Sequence, residues 1–189
     1  MKHTKKMSLR ARVLTGAVAA AALSAGTFGA MSATAATAAA PAAAPARSAD
    51  ASDHHLRTTT HLTVDAATRA AQAALKAAEK DNQRVTVAVV DRNGTTLVTL
   101  RGDGAGPQSY DSAVRKAFTA VSWNAPTSEL AKRLQNAPNL KDIPGTLFLA
   151  GGAPVAADGA PIAGIGVAGA PSGDLDETYA QAGVASLGR

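Results

Sequence analysis

Three of the chain's four histidines, His54, His55 and His61, fall within nine positions, in the run DHHLRTTTH at residues 53–61. Histidine is the commonest metal ligand and one of the axial ligands of haem iron, a set otherwise drawn from Cys, Met and Tyr. Cysteine is absent, and Met1, Met7 and Met31 all precede residue 32. With that leading segment set aside, His54, His55, His61, Tyr110 and Tyr179 remain as side chains able to ligate haem iron. The missing cysteine also excludes a disulfide framework, a thiolate metal site and a cysteine nucleophile. A Ser-His-Asp hydrolase needs its histidine on a rigid element. Every histidine here precedes the first expected helix, and no G-x-S-x-G elbow occurs.

The segment in front of those histidines has its own signature. MKHTKKMSLRAR is basic, VLTGAVAAAALSAGTFGAM is apolar, and SATAA supplies an A-x-A pattern, so residues 1–35 read as a secretory signal peptide. A twin-arginine signal is broken by Ala11 between Arg10 and Arg12. Secretion, with an extracellular location, is the expectation. The Ala/Pro-rich residues 36–61 read as a disordered spacer. The leader carries five of the 19 basic residues and no acidic one, so the rest holds 14 of each sign. The net charge of +5 therefore belongs to the leader, which argues against a nucleic-acid partner. Residues 62–189 are enough for a single domain with its own core.

The elements that must position any site follow in order. Thr63 as N-cap and the spacing of Val64, Ala67, Ala71, Leu75 and Ala78 predict a helix over 64–80. RVTVAVVD (84–91) and TTLVTLR (95–101) predict two strands joined through Asn93-Gly94, a pair suited to a tight hairpin turn. SYDSAVRKAFTAVSWN (109–124) predicts a second helix, and TSELAKRLQNA (127–137) a third, capped by Thr127. The apolar runs 146–152, 153–157 and 162–170 predict three more strands, and SGDLDETYAQAGVASLG a last helix capped by Ser172 or Asp174. The fold class expected is α+β, a mostly antiparallel five-stranded sheet covered by helices. Gly164-Ile165-Gly166-Val167-Ala168-Gly169 matches G-x-G-x-x-G but sits inside a strand-like run with no acidic residue about 20 positions on. Close backbone packing explains its glycines better than a nucleotide does.

The stretches VAVVDRNGTTLVTLRGDGAGPQSYDSAVRKAFTAVSWNAPTSELA and IPGTLFLAGGAPVAADGAPIAGIGVAGAPSGDLDE resemble the GlcG/HbpS family. The motifs V-V-D-x-x-G, R-x-D-G-A, K-A-x-T-A, G-G-x-P-V and G-I-G-V-x-G-A carry that resemblance, in order, across 62–189. It implies a homo-oligomer, an octamer, that binds haem and degrades it with release of iron. It also implies a membrane sensor histidine kinase as partner under oxidative stress. By the same resemblance Thr146 of IPGTLFLAGG faces haem iron, His61 affects haem, and Asp111 begins a surface iron motif, Asp111-Ser112-Ala113-Val114. Val114 has no ligating atom, and Asp111 equally suits the positive end of a helix. A non-haem oligomeric scaffold or small-molecule-binding domain is the alternative that other members of the family suggest.

Overall fold

The computed structural model describes residues 50–188; the expected signal peptide, and the part of the spacer before Asp50, lie outside the described residues. The remainder of the spacer carries one 3-10 turn, Asp53–His55, and all of residues 51–61 are exposed.

A four-stranded antiparallel sheet of order β2-β1-β4-β3 forms the middle layer. Its strands are β1 (Thr86–Asp91), β2 (Thr96–Arg101), β3 (Gly152–Ala157) and β4 (Ala160–Ala168). Helix α1 (Val64–Lys80) and helix α4 (Gly173–Ala185) cover one face, and α2 (Gln108–Trp123) covers the other; α3 (Thr127–Arg133) follows α2. The period of two along β1 sorts its side chains. Val87 and Val89 join the core under α1 and α4, while Ala88 and Val90 lie under α2. Strand β4 repeats that sorting with a different choice of residue. Ile165 and Val167 fill the α1/α4 side, whereas Gly164 and Gly166 leave the α2 side bare.

Those glycines are required by α2. A Cβ on Gly166 would lie 2.0 Å from the Ala113 carbonyl oxygen, and one on Gly164 2.2 Å from that of Ala117. The helix rests directly on the strand backbone, which confirms close packing as the reason for the glycine run.

Local signals set the other boundaries. The Thr63 hydroxyl accepts from Ala66 N, and the Ser172 hydroxyl from Leu175 N, capping α1 and α4 as expected. Gly94, with φ of +87°, closes the β1–β2 turn, where Asp91 Oδ1 accepts from the amides of Asn93 and Thr95.

The expectation of five strands is corrected to four. Residues 146–151 form an irregular loop, and only 152–157 and 160–168 are strands. Side chains supply the partners a strand would have had: Leu147 N donates to the Thr119 hydroxyl, Gly151 N to Glu177 Oε2, and Gly152 N to the Thr127 hydroxyl. Gly145 and Gly151, with φ of +80° and +129°, turn the chain at either end. Thr127 accordingly does not cap α3. Pro126 occupies that position without a side-chain hydrogen bond, and the buried Thr127 hydroxyl serves the loop. Helix α3 ends at Arg133, short of the expected 137.

Candidate functional site

Helix α2 supplies two of the four polar side chains that hold the 143–152 loop in place, with Thr127 and Glu177 supplying the others. Arg115 Nη2 donates to the Thr146 carbonyl at 2.7 Å, and the Thr119 hydroxyl anchors Leu147 one turn further along. Thr146 itself is 1% exposed. Its hydroxyl donates to the Ile143 carbonyl at 2.7 Å, so the oxygen keeps its lone pairs but is closed off by the turn. Asp111 is exposed in the first turn of α2. At i,i+4 it shares a helix face with Arg115, which places Thr146 beside the Asp111–Arg115 face. Val114 is half-buried among Ala88, Ala113 and Val90, a packing residue with no ligating atom. No group of three or more His, Asp or Glu side chains able to hold a metal occurs among the described residues.

His61 stands apart. It is exposed just before α1, and Nε2 is 2.8 Å from the Thr59 hydroxyl. Its neighbour Leu62 packs on the core beneath α1 and α4, whereas Thr146 is held by Arg115 of α2, the helix on the other face of the sheet. His54 and His55 are exposed, with their rings tilted by 50° and their centroids 3.9 Å apart. Tyr110 is 51% exposed at the start of α2, whereas Tyr179 is buried and donates its phenol to Asp81.

The best-built polar cluster was not expected as a site, although the K-A-x-T-A motif begins at Lys116. Lys116 Nζ donates to Asp176 Oδ2 at 2.8 Å and to the Val167 carbonyl at 3.0 Å, with side-chain exposures of 3% and 5% for the pair. Asp176 Oδ1 accepts from Ala170 N. Burial pushes the Asp176 carboxyl above its ordinary pKa, with Lys116 and the local amides opposing that rise. Beside it, Glu177 accepts from the Ser128 amide and hydroxyl, from the Thr127 hydroxyl and from Gly151 N. Lys116 lies sixty residues from Asp176, so spacing does not reveal the pair. One signal was available: Lys116 interrupts the buried stripe Ala113, Ala117, Ala120 and Val121, where a charge needs a partner.

With this geometry in hand, the comparisons are specific. A family model described as "Haem degrading protein HbpS-like" matches residues 62–185. A crystal structure of a double mutant of Streptomyces reticuli HbpS is similar at 76% identity, covering 79% of this chain and 100% of that one, with a TM-score of 0.75. A crystal structure of a PduOC–haem complex is similar at 29% identity, covering 67% and 95%, with a TM-score of 0.62. An uncharacterised 15.0 kDa protein of Citrobacter freundii is 34% identical over 113 residues, 57% of this chain and 80% of that protein. The chain belongs to the HbpS-like family.

Proposed function

We propose that this protein binds haem as a homo-oligomer, an octamer, and degrades it with release of iron. The observation that carries this reading is the 76% identity to Streptomyces reticuli HbpS across that protein's whole crystallised chain. The similar PduOC structure holding haem supports it. Secretion is proposed from the basic and apolar pattern of residues 1–35, and a membrane sensor histidine kinase as partner from the family resemblance alone.

The residues fit haem unequally. His61 offers an accessible imidazole, the usual axial ligand. Thr146 offers a hydroxyl oxygen that iron reaches only once the turn from Ile143 has moved aside. A haem touching both is read as shared between two chains, since Leu62 and Arg115, which adjoin them, belong to opposite faces of the sheet. Homo-oligomerisation follows from that reading. Asp111 is the proposed surface iron contact, by one carboxylate, with Val114 contributing nothing.

Haem titration into the purified protein tests the proposal. A saturating Soret band at or below one haem per chain is expected, and its absence refutes haem binding. His61→Ala and Thr146→Ala are each expected to weaken binding by about tenfold, a change of about 1.4 kcal/mol. An unchanged titration removes that residue as a ligand. With peroxide as the oxidant, bound haem is expected to lose its Soret band and yield chelatable iron faster than free haem does.

A further inference from the structure

A cleft of about 280 Å³ opens above the buried Lys116–Asp176 pair, between the start of α2 and the segment from Ala168 to Gly173. We propose that this cleft is a binding site for a small organic carboxylate, held by the Lys116 ammonium and the Ser112 hydroxyl. This inference is independent of the haem reading.

The argument begins with the pair itself. A buried ion pair contributes little net stability compared with apolar residues of similar volume, so its presence beneath an open cleft calls for another reason. An ammonium has three N–H donors. Two are taken by Asp176 and by the Val167 carbonyl, and the third has no acceptor among the described residues. Lys116 is also among the residues that line the cleft, with its side chain 97% buried. Leaving such a donor unmade is costly, and a ligand oxygen relieves that cost.

The rest of the lining agrees in sign. Ser112 is half-buried on the cleft wall and has no hydrogen-bond partner among the described residues. The first amide of α4, at Gly173 on the cleft wall, lies ahead of the Ser172 cap bond and has no acceptor among the described residues. Asp176, the carboxylate in the lining, is spent on Lys116 and Ala170 N. Leu149, Ala168, Ala170 and Pro171 add apolar surface to the lining. A lining of donors and carbon together suits a carboxylate with a short alkyl chain. At about 30 Å³ per water in the liquid, the volume matches about nine waters, room for a small carboxylate.

Saturation-transfer NMR on the full haem-free chain, with propionate as probe, tests this directly. A saturable signal is expected, with 1-propanol giving none at equal concentration. Ser112→Asp puts a like charge on the cleft wall and is expected to weaken binding at least tenfold, with circular dichroism unchanged. Failure to saturate, equal signals from propanol, or wild-type affinity in Ser112→Asp each overturn the proposal. Inorganic phosphate competing as strongly as propionate overturns its carboxylate class. Haem itself bears two carboxylates, so competition by haem but not by its dimethyl ester would assign the cleft to haem and overturn an independent ligand.

Discussion

Ile165 and Gly166 are neighbours on β4 and meet opposite faces of the molecule by opposite means. Ile165 inserts a branched side chain among the alanines of α1 and the valines of β1, in the core beneath α1 and α4. Gly166 offers no side chain at all, and α2 settles with the Ala113 carbonyl against bare backbone. The first face is filled by interdigitated side chains that can rearrange when one of them shrinks. The second is a contact of main chain on main chain, with nothing flexible to yield. Lys116, Arg115, Thr119 and Asp111 all ride on that second helix, so the polar machinery is positioned by the less adaptable face.

The sharpest way to break this comparison is one methyl group. Gly166→Ala is expected to destabilise the fold by about 5 kcal/mol or more, enough to unfold many domains of this size, because neither backbone can retreat. Ile165→Val, one residue away, is expected to cost only about 1 kcal/mol. Denaturant unfolding of the two variants checks both. Similar costs would show that α2 can lift from the sheet and that the two faces are equally plastic.

The second prediction concerns the charge that α2 buries. Lys116→Met strands the Asp176 carboxylate and is expected to cost about 3–5 kcal/mol, while Lys116→Met with Asp176→Leu recovers most of that loss. An unrecovered double variant would mean that the pair carries the stability of this face. The pair also sets an acid dependence. The native Asp176 pKa is raised above the unfolded value of 3.8, so the native state holds a proton that the unfolded chain has lost. Its contribution to stability therefore falls as pH rises from about 3.8 through the native value, and the double variant loses that slope.

Much of this architecture was legible from local pattern. The Thr63 cap and the alanine spacing bounded α1 at residues 64–80, and Asn93-Gly94 marked the β1–β2 turn. Both are signals carried within a few residues. The run TLFLAGG misled because its composition suits a strand, whereas its amides are taken by Thr119, Glu177 and Thr127 from three helices. No local pattern encodes partners 25 to 28 residues away. The same holds for the Lys116–Asp176 pair and for the burial of Thr146, which depends on a turn closing over its hydroxyl. The histidine-rich run was conspicuous in sequence and is exposed throughout; Lys116 entered only as the first residue of a motif and is the most enclosed charge among the described residues.

The smallest expected effect lies on the side-chain-packed face and tests how far its adaptability extends to polar contacts. Tyr179 is buried there, and its phenol donates to Asp81 at the end of α1 at 2.9 Å, tying α4 to α1. Tyr179→Phe keeps the ring and loses the hydrogen bond, so about 1 kcal/mol of destabilisation is expected at neutral pH. Burial and the Asp81 carboxylate both hold the Tyr179 pKa above 10.0, so the phenol stays protonated in the native state after the unfolded chain has begun to ionise. Native protein then binds the extra proton, and stability falls as pH rises through 10 toward the native value. The phenylalanine variant has no such proton to lose. Its deficit relative to wild type is therefore expected to narrow above pH 10 in urea titrations, and a deficit constant with pH would mean that the Tyr179–Asp81 contact is absent in solution.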